Sequence, residues 1–351
     1  MRRSFIPGLG SVAALLVLFA TQPGCNKVPV KAIQGEYTVQ NEIRDTRPDI
    51  PKIDIVFVID NSHSMCEEQI NIGKNFDKFI KDFKDTIKAD FRIGVVTTDA
   101  SDPNKGGKFR EELGSFTSCS VNVDTSECKN FKLAGGIITS TDASLDLEKA
   151  FRCISTVGTV QGGLAQIEQG LKAARYALDK NGPLPSQAQN FLRDDAFLAI
   201  ILVSDEDDCS WKEGVTWTDQ NFSRCALMPE KLVPVGDYVN FFKRLKPTDP
   251  GKVMVAVISG DAVVPGLDAN DPGFNVNPQV ISQREDFLTD KAAGAQDTYI
   301  CESDNGRADF GRRYRELVEK FGSNGVFANI CQNDFGPALA LISKRIIDNI
   351  Y

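Results

Sequence analysis

The chain has 351 residues, 42% of them hydrophobic and 25% charged, enough apolar sequence for a full core and too much for wholesale disorder, with no pattern of a multi-span membrane protein. Its 40 basic and 48 acidic residues exclude a nucleic-acid binder, which needs a cationic surface to meet phosphates. Nine Cys and a single His, His63, leave little room for a His-rich metal site or a catalytic triad.

At the N-terminus, Arg2 and Arg3 precede an apolar run over 12–20 and a small-residue junction at Gly24-Cys25. That order reads as a secretory signal peptide over 1–24. The run is too short to span a bilayer. The segment Thr21-Gln22-Pro23-Gly24-Cys25 resembles a bacterial lipoprotein box, which implies that Cys25 is diacylated and holds the protein to a membrane of the cell envelope. The alternative is plain secretion, with Cys25 put to another use. Residues 25–50 lack sustained periodicity and end among prolines, so they read as a tether.

The other eight Cys are Cys66, Cys119, Cys128, Cys153, Cys209, Cys225, Cys301 and Cys331. An even, widely spaced set in an exported chain predicts disulfides, not zinc ligands. Sequence leaves the connectivity open. Proximity favours Cys119 with Cys128, Cys209 with Cys225 and Cys301 with Cys331, which leaves Cys66 for Cys153.

From residue 51 onward, strand and helix patterns alternate. A β-branched run over 53–59 is followed by helical spacing over 76–83 and a second strand over 91–96. Further along come a helix over 164–178, a strand over 197–203, a helix over 238–245 and a strand over 253–258. Helices over 312–321 and 337–350 flank a short strand near Val326 and Phe327. Strands apolar along their whole length are buried on both faces, which predicts a doubly wound α/β domain over 51–351 with a mostly parallel sheet. Stretches at 109–155, 206–230 and 260–306 interrupt the alternation and read as disulfide-stapled insertions. Ligands of such sheets bind at the carboxyl ends of the strands.

There the first strand runs into Asp60-Asn61-Ser62-His63-Ser64, and the strand at 197–203 runs into Ser204-Asp205-Glu206-Asp207-Asp208. Carboxylates and hydroxyls are hard oxygen donors, suited to Mg2+ or a similar divalent ion. The pattern Asp60-x-Ser62-x-Ser64 after an apolar strand resembles the metal-ion-dependent adhesion site of von Willebrand factor A domains. The resemblance implies a metal set of Asp60, Ser62, Ser64, Thr159 and Asp205, binding Mg2+ or, alternatively, Mn2+ or Ca2+. The loop around Thr159 differs from the family's Gly-Gly-Thr-x-Thr form, so Thr156 is an alternative to Thr159. Because the family's two metal-binding loops are neighbours, the resemblance also supports a Cys66–Cys153 bridge.

The function implied is capture of an exposed Asp or Glu of a protein partner through the metal's open coordination position. Two other functions fit the pattern: a metal-dependent hydrolase on an α/β fold, and a structural module with a vestigial site. No Gly-x-Ser-x-Gly elbow or evident general base accompanies the motif, and Asp60 does not open an Asp-x-Asp pair, so the chain reads as a binding protein, not an enzyme. His63 reads as an exposed loop residue or a pH-sensitive gate, and Asp99 as a turn former or a further site residue.

Overall fold

The computed structural model describes residues 50–117, 119, 124–216, 225, 227–262, 278–295, 298–303 and 306–350. The expected signal peptide, Cys25 and nearly all of the expected tether lie outside the described residues, and the described residues all fall in one compact unit, Asp49–Tyr351.

In chain order the strands are β1 (Lys52–Ile59), β2 (Asp90–Thr97), β3 (Ile137–Thr139), β4 (Phe197–Ser204), β5 (Val253–Ser259), β6 (Cys301–Ser303), β7 (Gly306–Ala308) and β8 (Gly325–Asn329). The helices are α1 (Cys66–Lys74), α2 (Phe76–Lys81), α3 (Leu147–Ser155), α4 (Gly170–Leu178), α5 (Pro185–Phe191), α6 (Val235–Arg244), α7 (Pro278–Ala292), α8 (Arg312–Phe321) and α9 (Gly336–Asp348). Six strands form one sheet in the order β3-β2-β1-β4-β5-β8, and β6 and β7 form a separate hairpin. Every pairing in the large sheet is parallel except that of β2 with the short edge strand β3.

The alternation along β1 shows why its strands are apolar throughout. Ile53, Ile55, Phe57 and Ile59 pack on one face with Ile72, Phe76, Phe79, Phe151 and Leu339 of α1, α2, α3 and α9. Val56 and Val58 pack on the other with Leu171, Phe191, Tyr238 and Tyr314 of α4, α5, α6 and α8. Helices therefore cover both faces, as expected of a mostly parallel sheet. Successive strands run outward from β1 in one direction and from β4 in the other, so the β1/β4 boundary is a topological switch point. A crevice opens there at the carboxyl ends.

Two expectations change. The stretch 109–155 is not wholly an appendage, because it supplies β3 and α3, whose Phe151 stacks on Phe76 at 3.8 Å between ring centroids. The helix expected over 164–178 begins only at Gly170. Leu164–Gln166 form only a 3-10 turn, ended by Ile167 in an extended conformation (φ −86°, ψ 119°), so the chain reaches α4 as a loop.

The disulfides Cys209–Cys225 and Cys301–Cys331 form as expected. The other two are exchanged: Cys66 joins Cys119, and Cys128 joins Cys153. Contacts made by the intervening segments, not spacing along the chain, decide the exchange. Thr117 and Ser115 bond to Thr159, which carries Cys119 to the start of α1. Glu127 forms an ion pair with Arg152, which sets Cys128 against the buried Cys153 of α3. Four disulfides indicate an oxidising, extracytoplasmic compartment. No helix among the described residues is long and apolar enough to cross a membrane.

Candidate functional site

Adjacent strand ends bring the predicted residues together. Asp60 follows β1, and its backbone N–H donates to Val203 O of β4 at 2.9 Å. Its fully buried carboxylate accepts from Ser62 N–H at 2.7 Å, from Thr98 Oγ1 at 3.3 Å and from Ser204 Oγ at 2.6 Å. Three neighbouring strands thus orient one side chain. Ser62 precedes a short 3-10 turn (His63–Met65) without capping it through its side chain. Its hydroxyl instead lies 3.2 Å from that of Ser64, and Ser64 and Asp205 border one cavity. Asp60, Ser62, Ser64 and Asp205 are therefore gathered at one point.

Thr159 lies on the flank of this group. Val160 N–H donates to Asn61 O at 2.9 Å, and the Thr159 hydroxyl accepts from Thr117 N–H at 3.3 Å. Thr156 donates its hydroxyl to Arg152 O at 2.8 Å as the end of α3, so helix termination accounts for it. Asp99 accepts from the N–H and hydroxyl of Ser101, an ordinary turn. His63 is half-buried beside a cavity of about 320 Å³ that also borders Ser64 and Asp205.

Sequence reasoning missed several site residues. Gln69 donates to Asp60 O and Gly158 O and accepts from Gly158 N–H, each at 3.0 Å, tying the Asp60 loop to the Thr159 loop. A helical Gln carries no sequence signal for this role. Thr98 and Ser204 could have been found from their places at the ends of β2 and β4. Glu68 and Glu168 are buried carboxyls that complete an acidic cluster with Asp60, Asp205 and Glu206.

Burial dominates the electrostatics of that cluster, and the carboxyls reinforce one another. Burial, with Asp60, Glu68 and Glu206 nearby, holds Asp205 well above the usual carboxylate range. Burial raises Glu68 to about 8, with Glu67 and Asp60 adding to the effect, and raises Glu206 to about 7. Glu168 lies well above its usual range through burial and the charges of Glu206 and Asp60, and neither of its buried carboxyl oxygens has a hydrogen-bond partner among the described residues. Asp60 is raised by burial despite its three donors. Among the described residues, no Lys or Arg forms an ion pair with any of these five groups. The nearby Lys291 lies 3.1 Å from Asp309 instead.

The donor chemistry fits a divalent cation. Asp205 Oδ1 is buried without a hydrogen-bond partner, as is Glu68 Oε2. The gathered ligands are all oxygen, with few charges, as hard cations require. No group of three or more His, Cys, Asp or Glu among the described residues is arranged to hold a metal. A cation here would draw on hydroxyls and water as well as on Asp60 and Asp205.

No family model and no curated protein matches the chain. Among solved structures, the proximal thread matrix protein 1 of the mussel byssus is 11% identical with a TM-score of 0.35, over 86% of this chain and 48% of that one. The pilus adhesin SpaC of Lactobacillus rhamnosus GG, in its open conformation, is 12% identical with a TM-score of 0.38, over 86% and 30%. The pilus adhesin RrgA of Streptococcus pneumoniae is 14% identical with a TM-score of 0.26, over 74% and 33%. The chain spans less than half the length of each, and likeness at these scores carries no argument for its function.

Proposed function

We propose that this protein is an extracytoplasmic binding module of the von Willebrand factor A type, tethered by a lipid on Cys25, that captures an acidic side chain of a protein partner through a divalent cation. Asp60, Ser62, Ser64 and Asp205 would hold the ion, Mg2+ by preference, with Thr159 as the flanking donor. The observation that carries this reading is the cluster of Asp60, Glu68, Glu168, Asp205 and Glu206 beside the β1 and β4 ends, four of them buried and Glu206 half-buried, none of which forms an ion pair with Lys or Arg among the described residues. Buried charge is tolerated when it is paired or coordinates a metal. The bound ion would supply concentrated positive charge facing a partner carboxylate that the acidic surface otherwise repels.

The chain's own residues prepare that encounter. Ser204 and Thr98 fix the Asp60 carboxylate, Gln69 fixes the two loops against each other, and the Cys66–Cys119 bridge anchors the start of α1 immediately after Ser64. Isothermal titration with MgCl2, compared between wild type and Asp60→Ala, tests the site. Saturable binding to wild type alone is expected, and equal heats from both proteins would sink the reading.

A further inference from the structure

The hairpin β6–β7 belongs to the third interrupting stretch, and nothing in the adhesion-site resemblance accounts for it. Cys301–Cys331 bolts the hairpin to the residues just after β8, and Asp309 N–H donates to Asp205 O at 2.8 Å. Gly306 packs so closely on α1 that a Cβ there would collide with Glu68 Oε1. The hairpin consequently walls the same cavity of about 320 Å³ that borders Ser64 and Asp205, a volume in the range of small binding pockets.

On that wall Arg307 is exposed, with its guanidinium 4.4 Å from the Tyr299 ring centroid. Glu302 faces Arg307 across the hairpin register, yet among the described residues Arg307 has neither an ion pair nor a hydrogen bond. The remaining charges around the cavity are mostly acidic: Glu67, Asp205, Glu206 and Asp309. The other cation near Tyr299, Lys291, is paired with Asp309. A guanidinium seated on an aromatic ring with its donors free is a bidentate carboxylate receptor.

We propose that Arg307, seated on Tyr299, is a second anchor of the binding site, so that the partner segment is a peptide with two neighbouring acidic side chains. One carboxylate goes to the metal site and the other to Arg307; the assignment rests on the adhesion reading above. A peptide is favoured over an acidic polysaccharide because the Tyr299 face, which a sugar ring would stack on, is covered by the guanidinium.

The test uses synthetic Gly-rich peptides carrying one Asp, or two Asp separated by none, one or two Gly, titrated by NMR in Mg2+ and in EDTA. The best two-Asp peptide is expected to bind wild type about tenfold tighter than the one-Asp peptide. Arg307→Gln should erase that advantage while leaving one-Asp binding and Mg2+ dependence unchanged. If the advantage is absent, or survives Arg307→Gln, the anchor falls and the metal reading stands. If a two-Asp peptide binds in EDTA through Arg307 and Mg2+ adds nothing, the metal reading falls and the anchor stands. Binding of no peptide overturns both, and Arg307-dependent binding of digalacturonate in preference to peptides overturns the peptide assignment.

Discussion

Strand β1 places one buried aspartate near its start and a second just past its end, and the protein treats them in opposite ways. Asp54 accepts from Arg193 Nε and from Arg193 N–H, both at 2.8 Å, and Lys246 lies 3.9 Å away. Asp208 is paired with Arg313 at 3.0 Å, and Asp261 with Arg284 at 2.6 Å and Arg315 at 2.9 Å. Asp60 and its carboxyl neighbours meet hydroxyls, backbone N–H groups and one another. Arginines are thus available to buried acids elsewhere in the fold, even to Asp208 in the loop after β4, and among the described residues none is paired with Asp60 or Asp205. A charge too costly to bury alone is neutralised permanently in one region and left for a proton or a cation in the other.

The largest effect should come from breaking the paired region. Arg193→Ala leaves Asp54 buried with only the more distant Lys246, and removing one partner of a buried pair costs about 3–5 kcal/mol. Urea unfolding measures this directly. A loss below about 1 kcal/mol would mean that the paired acids are not held by their cations, and the contrast would collapse.

Next in size is the effect of the cation on the unpaired region. A ligand that binds only the folded state at a hundred times its Kd stabilises by about 2.7 kcal/mol. Mg2+ should raise the unfolding midpoint of wild type accordingly and leave Asp60→Ala unmoved. An equal rise in both proteins would point to a cation bound elsewhere.

Protons should act on the same region with a definite sign. Glu68 titrates at about 8 and Glu206 at about 7 in the folded protein, both raised by burial from an ordinary glutamate value near 4.5. A carboxyl raised on folding stabilises while protonated and loses that contribution as pH rises from its unfolded value through its folded one. Metal-free protein should therefore lose stability steadily between pH 5 and pH 8. Added Mg2+ should offset the loss increasingly with pH, because cations bind the deprotonated groups. A metal-free protein that becomes more stable over this window would contradict the uncompensated cluster.

The paired and unpaired regions differ in how far sequence reveals them. The parallel sheet was legible because β1, β4 and β5 are β-branched along their whole length, and Asp60, Ser62, Ser64 and Asp205 because they stand at strand ends. Glu168 was hidden because a helix drawn from 164 places it on a helical face, whereas a 3-10 turn over Leu164–Gln166 ends at the extended Ile167 and the loop that follows brings Glu168 near Glu206. The Arg193–Asp54 pair joins residues far apart in the chain, and neither residue type signals its partner. The disulfides at Cys66 and Cys153 show the same limit, since the contacts of Ser115 and Thr117 with Thr159, not sequence distance, selected Cys119 for Cys66.

The smallest effect gives the sharpest comparison, because one chemical change is made in both regions. Asp54→Asn removes a charge that Arg193 and Lys246 are placed to meet, leaving two buried cations without their anion, and should destabilise strongly. Asp205→Asn in EDTA removes a group whose Oδ1 has no partner and which stands among like charges. It should leave stability within about 1 kcal/mol of wild type, on the favourable side above pH 7, where like-charge repulsion is greatest. The same variant should show no Mg2+ response. If Asp205→Asn in EDTA proves as damaging as Asp54→Asn, Asp205 is held by a structural contact of its own, and the unpaired cluster is part of the scaffold, not a place kept open for a cation.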